Sequence, residues 1–160
     1  MTRRADRLSV RYAVTGDLPE IAIPAPEYFP ARKDRLWEDT CVEFFLGPTD
    51  SERYWEFNLS PSGNWNVYRF ASPRKGMAEE PAVPSLPFAV RTEAGTLHLS
   101  MELDIGKIIP AAEPFVAAVC AILKNAKGGK SHWALAHPAL RPDFHRREGF
   151  RLSFPGMANG

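Results

Sequence analysis

Thr40-Cys41-Val42-Glu43-Phe44-Phe45-Leu46, a turn at Gly47-Pro48-Thr49-Asp50, and Tyr54-Trp55-Glu56-Phe57-Asn58-Leu59-Ser60 together decide the fold. Val42, Phe44 and Leu46 alternate with Cys41, Glu43 and Phe45; Trp55, Phe57 and Leu59 alternate with Tyr54, Glu56 and Asn58. Successive side chains of a strand leave on opposite faces, so this period of two reads as two strands of an antiparallel hairpin. Val42, Phe44, Trp55, Phe57 and Leu59 are the set that must meet a core. That requirement fixes the register to within an even shift, because a slip of one residue would turn every side chain over. Cys41, Glu43 and Phe45 then share the other face with Tyr54, Glu56 and Asn58.

The same period runs outward in both directions. Leu8, Val10, Tyr12 and Val14 form one alternating set, Asn66, Tyr68 and Phe70 another, and Leu97, Leu99, Met101 and Leu103 the clearest. Ile21 and Ile23 predict a short strand, Phe88 and Val90 the start of one, and Trp133-Leu135 and Phe150-Leu152-Phe154 the last two. Phe115 to Leu123 is apolar on both faces, as a strand covered on both sides would be, with a buried helix as the alternative that its alanines allow. Turns fall at Ser60-Pro61-Ser62-Gly63-Asn64, Ala94-Gly95 and Lys127-Gly128-Gly129-Lys130. Leu103 to Ile109 predicts a brief helical turn with Asp104 as its N-cap. Arg74 to Pro87 and Pro138 to Glu148 have no clear pattern and read as long loops, which are often functional. About ten short strands with frequent turns predict an all-β fold, a two-sheet antiparallel β-sandwich of jelly-roll or immunoglobulin-like type. With no internal repeat and no composition break, residues 1–160 read as a single domain.

The chain has 160 residues, enough to bury a core without staples. Its 15 prolines argue against long helices. A net charge of +1 gives no field to recruit nucleic acid or an anionic membrane. Arg74-Lys75 and Arg146-Arg147 are too short for nucleic acid and read as solvated loop charge. Cys41 and Cys120 each sit in an apolar run and read as buried thiols, which favours a reducing compartment. The polar start, Met1 to Asp6, has no apolar signal region, and no run is long enough to span a bilayer. The cytoplasm is the expected location.

The face shared by Glu43, Phe45, Tyr54, Glu56 and Asn58 has two readings. It is the solvated outer face of an antiparallel sheet, or it is a ligand floor. Carboxylates and amides can bond vicinal hydroxyls, while aromatic rings cover the apolar faces of a sugar-like ring. Trp37, just before the strand, is a candidate platform. Glu43 and Glu56, if opposed at roughly 5 Å, would approach the spacing of a retaining glycosidase. Paired acids are common on sandwiches, so no catalytic residue is assigned. His98, His132, His137 and His145 lack a standard metal spacing, and no metal or cofactor is expected. Haem held by Met77 and a histidine stands as a distant alternative.

Leu36-Trp37-Glu38-Asp39-Thr40-Cys41-Val42-Glu43-Phe44-Phe45-Leu46 resembles a signature of the DOMON-like superfamily. The nearest branch is that of the type 9 carbohydrate-binding modules and their stand-alone bacterial relatives. Tyr54 to Trp65, His132-Trp133-Ala134-Leu135-Ala136-His137-Pro138, Pro142-Asp143-Phe144-His145 and Gly149-Phe150 extend the resemblance, which runs from Leu8 to Phe154. It implies a β-sandwich that binds sugar or haem on one side. The sugar-binding modules clamp a terminal sugar between two tryptophans, with a carboxylate and an asparagine on its hydroxyls. By motif, Trp37 matches the first tryptophan, Glu43 the acid and Asn58 the asparagine. The chain departs from the pattern at Glu56, where the modules carry a basic residue. It departs again in the late loop, where Phe144 and His145 stand in place of the second tryptophan. The resemblance implies an extracellular setting, unlike the reading from the N-terminus.

The expectation is therefore a non-catalytic module binding a carbohydrate or similar small ring through Trp37, Glu43, Glu56, Asn58, Phe144 and His145. Its alternatives are a protein-interaction or accessory domain and a haem-binding domain. The expected partner is a small sugar-like molecule, with a protein partner possible and neither nucleic acid nor membrane.

Overall fold

A computed structural model describes residues 1–157. The last three residues of the domain predicted over 1–160 lie outside the described residues. The strands are β1 (Thr2–Arg4), β2 (Arg7–Thr15), β3 (Cys41–Pro48), β4 (Tyr54–Leu59), β5 (Trp65–Phe70), β6 (Ala78–Glu79), β7 (Ala89–Glu93), β8 (Thr96–Asp104), β9 (Phe115–Lys124), β10 (Lys130–Ala134) and β11 (Leu152–Phe154). They form two antiparallel sheets, the smaller in the order β1-β2-β8-β7 and the larger in the order β10-β9-β3-β4-β5-β6. β11 pairs with β9 at Phe115, Val116 and Ala117, whereas β10 pairs with β9 from Cys120 to Lys124. The two short strands thus share one edge of β9. The predicted β-sandwich is the observed fold, with eleven strands in place of about ten.

The hairpin register is one of those that the alternation allows. Glu43 pairs with Asn58, Phe44 with Phe57 and Phe45 with Glu56. Val42, Phe44, Leu46, Trp55, Phe57 and Leu59 enter the core between the sheets, facing Leu8, Val10, Leu97, Leu99 and Met101. Phe44 and Phe57 stack at 4.3 Å between ring centroids. Residues 115–124, apolar on both faces, form strand β9 beside β3. Ala94 and Gly95 both take positive φ, +48° and +75°, the type I′ geometry that matches the twist of a two-residue hairpin.

One local prediction is corrected. Ile21 makes only an isolated bridge to Asn125, and Ile23 lies outside any strand. Chain flanked by Pro19, Pro24 and Pro26 cannot supply the donors of a ladder. The brief turn predicted at Leu103–Ile109 is observed: β8 runs on to Asp104, whose Oδ1 caps the turn by accepting the Gly106 N–H at 2.9 Å. Ile105, Ile108 and Ile109 all enter the core, and Pro110 ends the turn. No helix among the described residues is long and apolar enough to cross a membrane.

The long loop from Arg74 to Pro87 is tied down. Val83 and Leu86 fill the edge of the core, and buried Glu80 accepts the Trp55 indole N–H at 2.8 Å. The larger sheet is therefore buried on both faces: every residue of β3 and β4 is buried. A second cluster of Phe45, Tyr54, Tyr68, Phe70, Ala118, Cys120 and Phe150 lies on the face away from the smaller sheet. This corrects the solvated-face reading of that surface.

Candidate functional site

Three segments cover the outer face of the larger sheet, and polar side chains of the sheet hold them there. The first precedes β3. Arg32 lies over the Trp65 ring at 4.4 Å and donates to Asn66 Oδ1 at 2.9 Å. Asn66 donates to the Lys33 carbonyl at 3.1 Å, and the Tyr68 hydroxyl donates to Asp34 Oδ1 at 2.5 Å. Arg35 then takes a left-handed conformation (φ +59°) that starts the 3-10 turn Leu36–Glu38. Trp37 is thereby set edge-on to Tyr68, 5.8 Å between centroids.

The second segment follows β5. The Arg74 backbone N–H donates to the Tyr54 hydroxyl at 3.0 Å, and its guanidinium donates to Asp143 Oδ1 at 2.7 Å. The third is the late loop. Arg147 packs over Phe150 at 4.8 Å, donates to the Pro48 carbonyl at 2.7 Å and crosses Gly47. A Cβ at position 47 would stand 1.5 Å from Arg147 Nη1. Arg147 is thus a latch between loop and sheet, which corrects its reading as solvated loop charge; Arg74, Lys75 and Arg146 are exposed as predicted, although Arg74 also ties two loops together.

Between these segments lies a cleft of about 330 Å³, lined by Trp37, Glu43, Glu56, Phe70, Arg74, Met77, Ile122, His132, Pro142, Phe144 and His145. Of the predicted site residues, Trp37, Glu43, Glu56, Phe144 and His145 meet here. Asn58 does not line the cleft. It is fully buried, and its amide donates to Glu56 Oε1 at 2.8 Å, so it orients a floor carboxyl from beneath. Glu43 and Glu56 are diagonal across the hairpin rather than opposed, since Glu43 pairs with Asn58 and Glu56 with Phe45. The contributions of Phe70, Arg74, Ile122 and His132 were not read from the sequence. Phe70 and Ile122 carried a usable signal, the same side-chain parity as Tyr54 and Cys41 on neighbouring strands.

The floor is electrostatically unusual. Glu43 is 2% exposed and Glu56 4%. No group among the described residues donates a hydrogen bond to the Glu43 carboxyl, and its Oε1 is a buried atom without a partner. Burial, reinforced by the neighbouring Glu56, pushes the Glu43 carboxyl well above the usual carboxylate range. Burial raises Glu56 to about 7, against the Asn58 hydrogen bond and the Arg74 charge, which both lower it.

His145 completes the floor. Its Nδ1 lies 2.8 Å from the Tyr54 hydroxyl, and its Nε2 lies 3.7 Å from Glu56 Oε2. Burial, then Arg74, depress the imidazole to about 4, so it is neutral near pH 7 despite lying at ion-pair distance from Glu56. All partners are satisfied when Tyr54 accepts from Arg74 and donates to Nδ1, leaving the Nε2 proton facing Glu56. Cys41 and Cys120 are buried free thiols beneath this face, as the sequence predicts, and burial raises both. Among the described residues, no cluster of three or more His, Cys, Asp or Glu could hold a metal ion.

A floor of two buried carboxyls and a neutral imidazole, between aromatic walls, can both accept and donate hydrogen bonds to a small ring. No family model matches the chain, and no curated protein matches it. Among solved structures it is similar to a protein from Bacteroides uniformis provisionally described as carbohydrate-binding. The TM-score is 0.62 at 15% identity, over 91% of this chain and 72% of that one. At this identity the likeness establishes the shared sandwich fold.

Proposed function

We propose that this chain is a non-catalytic ligand-binding domain of the DOMON-like kind, nearest the type 9 carbohydrate-binding branch. Its ligand is a sugar or similar hydroxylated ring. The ring lies against Trp37 and Phe144, and its hydroxyls meet Glu43, Glu56 and His145. Asn58 acts from below by holding Glu56. One observation carries this reading: a buried carboxyl without a hydrogen-bond partner, Glu43, in the floor of a cleft walled by Trp37, Phe70 and Phe144. Buried polar groups normally have partners, and those left without one in a concave, partly apolar site mark where a ligand or water bonds. The fold shared with the Bacteroides uniformis protein supports the same class. A few such contacts, partly open to solvent, imply micromolar to millimolar affinity.

A screen of small sugars and glycans by intrinsic tryptophan fluorescence tests the reading, with Trp37→Ala as the control. A saturable change lost in that variant is the expected result. Failure of every sugar to give one would remove the carbohydrate reading.

The second reading, a protein-docking domain, is favoured by a separate surface. Trp133 is 61% exposed and Leu135 55%. They line an open apolar groove with Val14, Val119 and Leu123, away from the cleft. Trp133→Ala leaves sugar titrations unchanged if the cleft is the site and abolishes them if the groove is.

A further inference from the structure

The charges around the cleft floor do not balance. Arg74 is the only lysine or arginine among the lining residues, and its guanidinium is engaged by Asp143 at 2.7 Å. His145 lies beside Glu56 but is kept neutral. His132 lines the outer part of the cleft on β10 and is exposed. Glu43 has neither a cation nor a hydrogen-bond donor of its own. Beneath the pair, the buried thiols of Cys41 and Cys120 supply no positive charge.

Two carboxyls buried side by side hold their protons, at a cost, unless a counter-charge joins them. Among the described residues Arg74 is the one lysine or arginine lining the cleft; of the two carboxyls it acts on Glu56 alone, and it is shared with Asp143. The walls are of the type that receives a counter-charge: Trp37, Phe70 and Phe144 line the same space, and aromatic rings attract an ammonium group through their quadrupoles. The floor also carries no basic side chain where one could have neutralised it: position 56, on the outer face of β4, is glutamate.

Resting on the binding-module reading above, we infer that the ligand carries a positive charge: it is a hydroxylated ring bearing an amine, of the amino-sugar class. Its ammonium sits between Glu43 and Glu56, its ring lies against Trp37 and Phe144, and Arg74 with Asp143 closes the rim. The ammonium supplies the donors that Glu43 lacks. His145 Nε2–H remains free for a ring hydroxyl beside Glu56.

The test is isothermal titration calorimetry of the whole chain at pH 7. The probes are D-glucosamine, 6-amino-6-deoxy-D-glucose, their neutral parent D-glucose, N-acetyl-D-glucosamine and choline. Charge-assisted hydrogen bonds and ring contacts to the ammonium predict that an amino sugar binds roughly tenfold or more tighter than D-glucose. In Glu43→Gln, and independently in Glu56→Gln, that ratio falls toward one. Circular dichroism shows whether each variant is folded, and either variant alone suffices for the comparison. Equal or tighter binding of the neutral sugars would overturn the amine inference and leave the carbohydrate reading standing. Choline binding as tightly as the amino sugars, with no neutral sugar bound, would overturn the carbohydrate reading and leave the cation site. Binding of none of these probes would overturn both.

Discussion

The two faces of the β3–β4 hairpin are equally buried and chemically opposite. On the inner face, Phe44 and Phe57 stack in a wholly apolar layer against the smaller sheet. On the outer face, one residue along in each strand, Glu43, Glu56 and Asn58 lie at 0–4% exposure under three loops. Burial therefore does not tell core from site. The hydrogen-bond inventory does: on the inner face the Trp55 indole N–H is met by Glu80, whereas the outer face leaves Glu43 unpartnered.

If the faces have separate tasks, substitutions should separate them. Phe44→Ala has the largest expected effect. It removes a fully buried ring from the inner layer and should cost about 3–5 kcal/mol of stability in urea unfolding. A smaller loss would mean that the inner layer can collapse around the vacancy. Arg147→Ala should cost about 1–3 kcal/mol, because it strips the donor from the Pro48 carbonyl and uncovers Phe150. It should also weaken ligand binding, because the late loop that carries Phe144 and His145 loses its latch. Tyr54→Phe should cost about 1 kcal/mol and free the His145 ring, which the hydroxyl bridges to the Arg74 backbone. An imidazole with unchanged NMR shifts in that variant would refute the bridge.

The smallest effect is on the pH dependence of stability. An acid whose value is raised on folding stabilises the protein while protonated and loses that contribution as pH rises toward the folded value. Glu56 does so between its ordinary 4.5 and about 7, and Glu43 shares the sign. His145, lowered from 6.5 to about 4, has the opposite effect: the unfolded chain binds the extra proton between those values, so stability rises with pH there. Between about pH 4.5 and 6.5 His145 offsets one of the two acids, and above that only the acids remain. Urea midpoints should therefore fall from pH 5 to pH 7, and Glu43→Gln should flatten that fall. A midpoint that rises over the same interval would contradict the charge balance assigned to the floor.

Much of the fold was legible because period-two alternation fixes both the strand and its face. The hairpin and the face shared by Glu43, Glu56 and Asn58 followed from it, although the exact register, which pairs Glu43 with Asn58, did not; the strand over 115–124 followed from its apolarity on both faces. Alternation says which residues share a face but not which distant segment lies on it. The covering loops are held by side chains far apart in the chain, such as Arg74 on Asp143 and Arg147 over Gly47, and local pattern carries no trace of these pairings. Phe144 and His145 were reached only through resemblance. Asn58 was placed on the right face, but residue type could not show that its amide would be used up by Glu56. Ile21 and Ile23 misled for a related reason: they have the strand period, but their proline neighbours deny it a partner.

The central claim is that a ring ligand enters the covered outer face beside Trp37. It is tested most directly by following the four tryptophan indole N–H signals in ¹H–¹⁵N NMR spectra during titration with the tightest-binding sugar. The account predicts a saturable shift of Trp37, little change in buried Trp55 and Trp65, and none in Trp133 on the far groove. A shift confined to Trp133, with Trp37 unmoved, would contradict it and move the binding surface to the groove between β2, β9 and β10.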